Sequence, residues 1–218
     1  MRGRFSPILL GLACACFAAC IHVGPQQNDP WRLFALSPLP EAEQANTSSP
    51  SQGPAQAAIG VGPIHLPGYL DQDQIVTRIS QNRLTLSENA RWIEPLDGNI
   101  ARVLAEDLSQ LLQTDRVTVH PWPGRERPIY QLEIDVLSFE TDTAGTAHLA
   151  ARWLLRDVAM GQTIAEKEVR LTALAAASPI ERPVASLSQA LGNFSREIAS
   201  VISEFVQSSG SRSPRAAS

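Results

Sequence analysis

Two segments in the second half of the chain alternate apolar and polar side chains with a period of two. Tyr130, Leu132, Ile134 and Val136 interleave with Gln131, Glu133 and Asp135, and Leu149, Ala151, Trp153 and Leu155 interleave with Arg152 and Arg156. Successive side chains of a strand point to opposite faces, so each segment reads as a strand with one dry and one wet face. A third run, carrying Ala165, Val169 and Leu171 and interrupted by Lys167, follows them. Gly145 and Gly161 sit in the two connections, as an antiparallel meander requires.

The dry face of such a sheet needs a second layer, and two helical stripes supply it. Ile100, Val103, Leu104, Leu108, Leu111 and Leu112 recur at spacings of three, one, four, three and one, with Asp97 placed to cap the helix they define. Val184, Leu187, Leu191, Phe194, Ile198, Val201, Ile202 and Phe205 mark a longer helix with Pro183 in its first turn. Its stripe is expected to bury against the chain's own sheet, with contact to another subunit as the second reading. Upstream, residues 57–64 read as a buried strand ending at Pro63 or Pro67. Ile75, Val76 and Ile79 and then Leu84 and Leu86 flank Gln81-Asn82 as a hairpin, and residues 116–119 form a short strand. The fold class expected is therefore α+β: a mixed, largely antiparallel sheet with two amphipathic helices packed on it. It forms a single domain over residues 57–206, long enough to bury about two thirds of its unfolded surface.

The first twenty residues set the compartment. Arg2 and Arg4 precede an uncharged stretch that ends at Ala19, the pattern of a signal peptide over residues 1–19. At about 15 residues the stretch falls short of the roughly 20 that span a bilayer. It closes on Phe17-Ala18-Ala19-Cys20, which resembles the bacterial lipobox, with phenylalanine where leucine is usual. Lipidation is expected at Cys20. Cys14 and Cys16 leave with the peptide, so the mature chain has no second thiol for a disulfide, and a thiol nucleophile or Cys-ligated zinc is excluded. Residues 20–56 read as a lipidated tether and proline-rich linker with a short strand at 31–36, and residues 207–218 as a disordered tail. Loss of residues 1–19 leaves 16 basic against 22 acidic side chains, a net charge of −6. That balance excludes a nucleic-acid binder and offers no pull towards anionic lipid heads.

Chemistry-bearing patterns are few. Gly60-Val61-Gly62 lacks the third glycine and the following helix of a dinucleotide loop, and reads as a strand with close backbone packing. Asp71 and Asp73 lack the further oxygen ligands of a calcium loop and read as a polar turn. Glu133, Asp135, Glu140 and Asp142 read as a solvated face, with a partner-binding face as the alternative. His22, His65, His120 and His148 have no metal-ligand spacing, no Gly-x-Ser-x-Gly elbow is present, and Trp92 and Trp122 read as lids on small cores. The sequence thus nominates no catalytic, cofactor or metal residue, and no enzyme.

Several segments together resemble the PqiC/YmbA family of ABC-type transport auxiliary lipoproteins. They are Trp31-Arg32-Leu33-Phe34-Ala35-Leu36; residues 59–71 (IGVGPIHLPGYLD) with Gln74 to Arg78; Arg91-Trp92-Ile93-Glu94-Pro95-Leu96 with Arg102-Val103-Leu104; residues 130–140; residues 151–157; and residues 187–199. The resemblance implies a non-catalytic lipoprotein anchored in the outer membrane by its N-terminal lipid and facing the periplasm. Its implied partner is an inner-membrane-anchored, PqiB-like protein with MCE domains and that protein's ABC or integral membrane partners, moving lipid or another hydrophobic molecule. Homo-oligomerisation stays open. The alternative is a structural lipoprotein that stabilises another outer-membrane complex.

Overall fold

The computed structural model describes residues 30–40, 58–122 and 127–210. The signal peptide, Cys20, His22 and the larger part of the proline-rich stretch lie outside these residues. From Trp31 onward the described chain packs as one unit.

The three alternating segments form the spine. Strands β6 (Tyr130–Asp142), β7 (Ala147–Asp157) and β8 (Gln162–Ala173) pair antiparallel in sequence order. Gly145 and Gly161 hold positive φ values of 84° and 63° in the turns, a conformation glycine adopts without the Cβ penalty. The other edge of β6 is shared by two strands that follow one another along it. Strand β2 (Ile59–His65) runs parallel to its first half, Ile59 opposite Tyr130 and His65 opposite Asp135. Strand β3 (Gln74–Ser80) runs parallel to its far end, Arg78 opposite Asp142. Each carries a further branch. Strand β5 (Val117–Val119) joins β2, while β4 (Arg83–Trp92) pairs with β3 through the Gln81-Asn82 turn and takes β1 (Arg32–Phe34) on its outer edge. The eight-stranded sheet is mixed, and its long ladders are the antiparallel ones.

Helix α1 (Leu96–Leu111) lies over β2 and β5, helix α2 (Arg182–Gly210) over β6, β7 and β8, and the two touch each other. The α1 stripe is buried at Ile100, Val103, Leu104 and Leu108, and the α2 stripe at Leu187, Leu191, Phe194, Ile198 and Ile202. They meet Leu132, Ile134, Leu149, Trp153 and Leu155 of the sheet in one core. The long stripe is therefore spent on the domain itself.

Four details depart from the sequence expectations. Asp97 sits within the first turn of α1, where its charge suits the helix dipole, but the capping position is Pro95 and no side chain caps there. Helix α2 continues beyond Val206 to Gly210, so residues 207–210 belong to the helix and not to a tail. Residues 37–40, which composition places in the linker, are held against both helices, as described below. Lys167, which breaks the β8 alternation, points to the helical side opposite Trp153 and forms a 2.6 Å ion pair with Glu197 of α2. No helix among the described residues is long and apolar enough to cross a membrane.

Candidate functional site

The chain enters the domain through a strap of residues 31–40. Only three of its residues find strand partners, on β4, so the remaining backbone must be satisfied another way. Helices α1 and α2 provide it with side chains. The Leu36 amide donates to Asn99 Oδ1 (3.2 Å), the Ser37 amide to Ser188 Oγ (3.1 Å) and the Leu39 amide to Asp107 Oδ1 (2.8 Å). Asn99 and Asp107 lie eight residues apart on one face of α1 and are fully buried. The Ser195 hydroxyl donates to Asp107 Oδ2 at 2.7 Å. Burial pushes the Asp107 carboxyl above its ordinary range, although the bonds from Ser195 and Leu39 pull the other way. Leu36 itself is 2% exposed and part of the core.

Alongside the strap runs a groove of ≈ 860 Å³ between residues 33–40 and the first half of α2. Phe34, Pro38 and Leu39 wall one side and Val184, Ala185 and Arg196 the other. Gly192 lets this wall close in, because a Cβ there would run into Leu39. A second hollow of ≈ 250 Å³ opens on the β4 side of Phe34 and Val184, walled by Ile75, Ala90 and Ile180. Leu33 and Ile180 stand largely exposed beside these hollows. Trp31, at the start of the strap, is also exposed and packs its ring 3.9 Å over the Arg91 guanidinium.

The acidic series divides. Glu133 and Asp135 reach the wet face, Glu133 towards Arg156 at 3.9 Å. Glu140 is 2% exposed and accepts bonds from Arg78 Nε (2.8 Å) and Nη2 (2.6 Å), the Tyr69 hydroxyl (2.9 Å) and the Phe139 amide (3.0 Å). This corrects the expectation of a uniform solvated face. The bulge between Val136 and Ser138 shifts the alternation by one residue, so Glu140, opposite His148, lies on the same face as Glu133 and Asp135, and it is buried there by Arg78 and by Tyr69 of the loop that separates β2 from β3. Burial first, and then the bond to Glu140, push the Tyr69 phenol up. The Arg78 guanidinium is held charged chiefly by its bond to Glu140. Asp142 accepts from the Ala144 and Thr146 amides and lies 3.3 Å from His148 Nε2. Burial would raise its pKa, but those bonds outweigh it and hold the carboxyl below its ordinary value.

The remaining nominated residues fall into structural places. Gly60 lies in β2, where a Cβ would collide with the Trp122 ring and with Pro128. Gly62 has φ +109°, and a Cβ there would press against His120, so the glycines serve close packing. Asp71 and Asp73 are exposed in the turn before β3. Trp92 is 7% exposed in the core, and Trp122 packs edge-on against His120. Among the described residues no three His, Cys, Asp or Glu side chains are grouped to hold a metal. The sequence missed Asn99, Asp107, Ser188 and Ser195. Polar residues at 99 and 107 on an otherwise apolar helical face were the available signal.

A family model described as ABC-type transport auxiliary lipoprotein component matches residues 37–199. Among solved structures, an uncharacterized protein is 21% identical with a TM-score of 0.64, over 80% of this chain and 100% of its own. A Xanthomonas campestris protein of the DUF330 family is 17% identical with a TM-score of 0.65, over 83% and 99%. At these identities the likeness is one of fold. Comparison with curated proteins finds no match.

Proposed function

The chain belongs to the family of ABC-type transport auxiliary lipoprotein components, and from that premise we propose that it is the outer-membrane-anchored, periplasm-facing component of a trans-envelope conduit built on MCE-domain proteins. The observation that carries the reading is the family match across residues 37–199, preceded in the same chain by the Phe17-Ala18-Ala19-Cys20 signature. Cleavage before Cys20 and acylation of its thiol place residues 20–30 as the tether and the domain from residue 31 onward as the working part. A single acyl chain anchors only marginally, and the several chains of a bacterial lipoprotein make attachment lasting. Ile21, in place of the aspartate that retains enteric lipoproteins at the inner membrane, is compatible with export to the outer membrane. The domain's role is docking on the conduit and not catalysis.

The groove beside the strap supports contact with a hydrophobic molecule or an apolar segment of the conduit, being within the size range of ligand pockets. Pull-down of the lipidated protein from crosslinked membranes tests the assignment, with Cys20→Ser as control. Recovery of an MCE-domain protein, lost with Cys20→Ser, is the expected result. Recovery of outer-membrane assembly proteins alone would overturn the transport role and favour a structural lipoprotein. Ala185→Trp, which fills the groove, should lower recovery of the MCE protein while the lipoprotein's own level holds.

A further inference from the structure

Strand β8 is twelve residues long and, among the described residues, pairs only with β7. Its second edge is a run of backbone donors and acceptors of the kind that recruits another strand. Sheets usually blunt such an edge, and β8 is only partly blunted. Lys167 is turned inward to Glu197, while the outward-facing side chains are Glu166, Glu168, Arg170 and Thr172. Glu168 bonds Arg152 on β7 and Arg170 on its own strand, and Arg170 remains 75% exposed.

These charges choose a partner. In an antiparallel pair of identical strands, the facing positions are fixed by the residue on the twofold axis, and the pleat requires outward residues to meet outward residues. With Val169 on the axis, Glu168 of each copy faces Arg170 of the other, Glu166 faces Thr172, and Ala165 faces Ala173. Neighbouring registers are worse. An axis at Glu168 sets that carboxylate against itself, one at Lys167 sets Glu166 against Glu168, and one at Arg170 sets two guanidinium groups together. Only the Val169 register gives two opposite-charge pairs with no like-charge pair directly opposed, the arrangement that stabilises cross-strand neighbours.

The geometry points to β8 as a self-complementary interface through which a second copy of this chain extends the sheet, antiparallel and centred on Val169. The twofold axis then stands normal to the sheet, and the helices of both copies lie on the same face.

Charge reversal tests both the surface and its register. The full-length lipidated protein is purified in detergent with micelles in excess, and its mass is followed by light scattering across a dilution series. Arg170→Glu places four carboxylates around the axis and Glu168→Arg places four guanidinium groups there. Each variant alone should dissociate at least about tenfold more readily than the wild-type dimer. An equimolar mixture of the two restores both opposite-charge pairs and should recover the dimer. Both positions are on the surface side of β8, and a single cooperative thermal unfolding transition establishes that the variants are folded. A wild-type protein that stays monomeric overturns the proposal, as does an assembly of any size that both variants leave intact. A mixture that stays monomeric overturns the register.

Discussion

Removing either member of the Arg78–Glu140 pair should have unequal costs, and the inequality follows from burial. The Glu140 carboxylate is 2% exposed, while the Arg78 side chain is 35% exposed. Arg78→Ala leaves a carboxylate buried with only the Tyr69 hydroxyl and the Phe139 amide to hold it. Breaking a buried pair in this way costs about 3–5 kcal/mol, and the partial exposure on the arginine side argues for the lower end, about 3 kcal/mol. Glu140→Ala instead leaves a guanidinium that can turn into water, so the loss is mainly that of an acceptor for Tyr69 and Phe139, about 1–2 kcal/mol. Replacing both by leucine should recover part of the larger loss, because no charge then remains under the loop. Urea unfolding followed by tryptophan fluorescence measures all three. In thermal scans each kcal/mol corresponds to about 2–4 °C for a chain of this size. If Glu140→Ala proved as costly as Arg78→Ala or more so, the argument from unequal burial would be refuted.

The strap should respond to Asp107 alone. Asp107→Ala removes the acceptor for Leu39 and Ser195, costing about 1–3 kcal/mol, and amide exchange at Leu39 should rise well before exchange in the core. The raised pKa of Asp107 means that the folded state holds its proton more tightly than the unfolded chain does. Stability on its account is therefore greatest below the ordinary aspartate value and falls as pH rises through the folded one. Asp107→Asn should flatten that slope in urea unfolding compared across mildly acidic and neutral pH. Asp142 has the opposite sign: its lowered pKa contributes stability above the ordinary aspartate value that is lost as pH falls through the folded one, and Asp142→Asn should remove this acid sensitivity. Gly60→Ala should cost about 1–3 kcal/mol through collision with Trp122 and Pro128, read as a lowered Tm.

What the sequence disclosed and what it hid separate by range. The alternation at Leu132, Ile134 and Val136 announced β6, and the spacings of Ile100, Leu104 and Leu108 announced α1, because both signals are complete within a dozen residues. Gly60 was read as a close approach, and Trp122 is what approaches. Glu140 shares the face of Glu133 and Asp135, but its burial was hidden because the side chains that cover it, Arg78 and Tyr69, lie 62 and 71 residues away in the chain. The strap's anchors were invisible for the same reason: Asn99 and Asp107 bond amides 63 and 68 residues away, and single-segment periodicity carries no information at that distance. Cys20 is different again. Its signature lies wholly in the sequence, and the described residues do not reach it.

The sharing of one edge of β6 by β2 and β3 has a consequence for how the chain acquires its shape. Strands β1, β3 and β4 can gather as one patch and β2 and β5 as another, but neither patch has a neighbour to join until Tyr130–Asp142 has been delivered. Closing those parallel contacts means bridging more than 60 residues of chain, an entropic toll that slows the search for the native topology. During synthesis and export the leading half of the domain thus waits with open strand edges for its trailing half. Until β6 emerges, the edges of β2 and β3 that it will cover stay open, the condition under which partly folded chains misassemble.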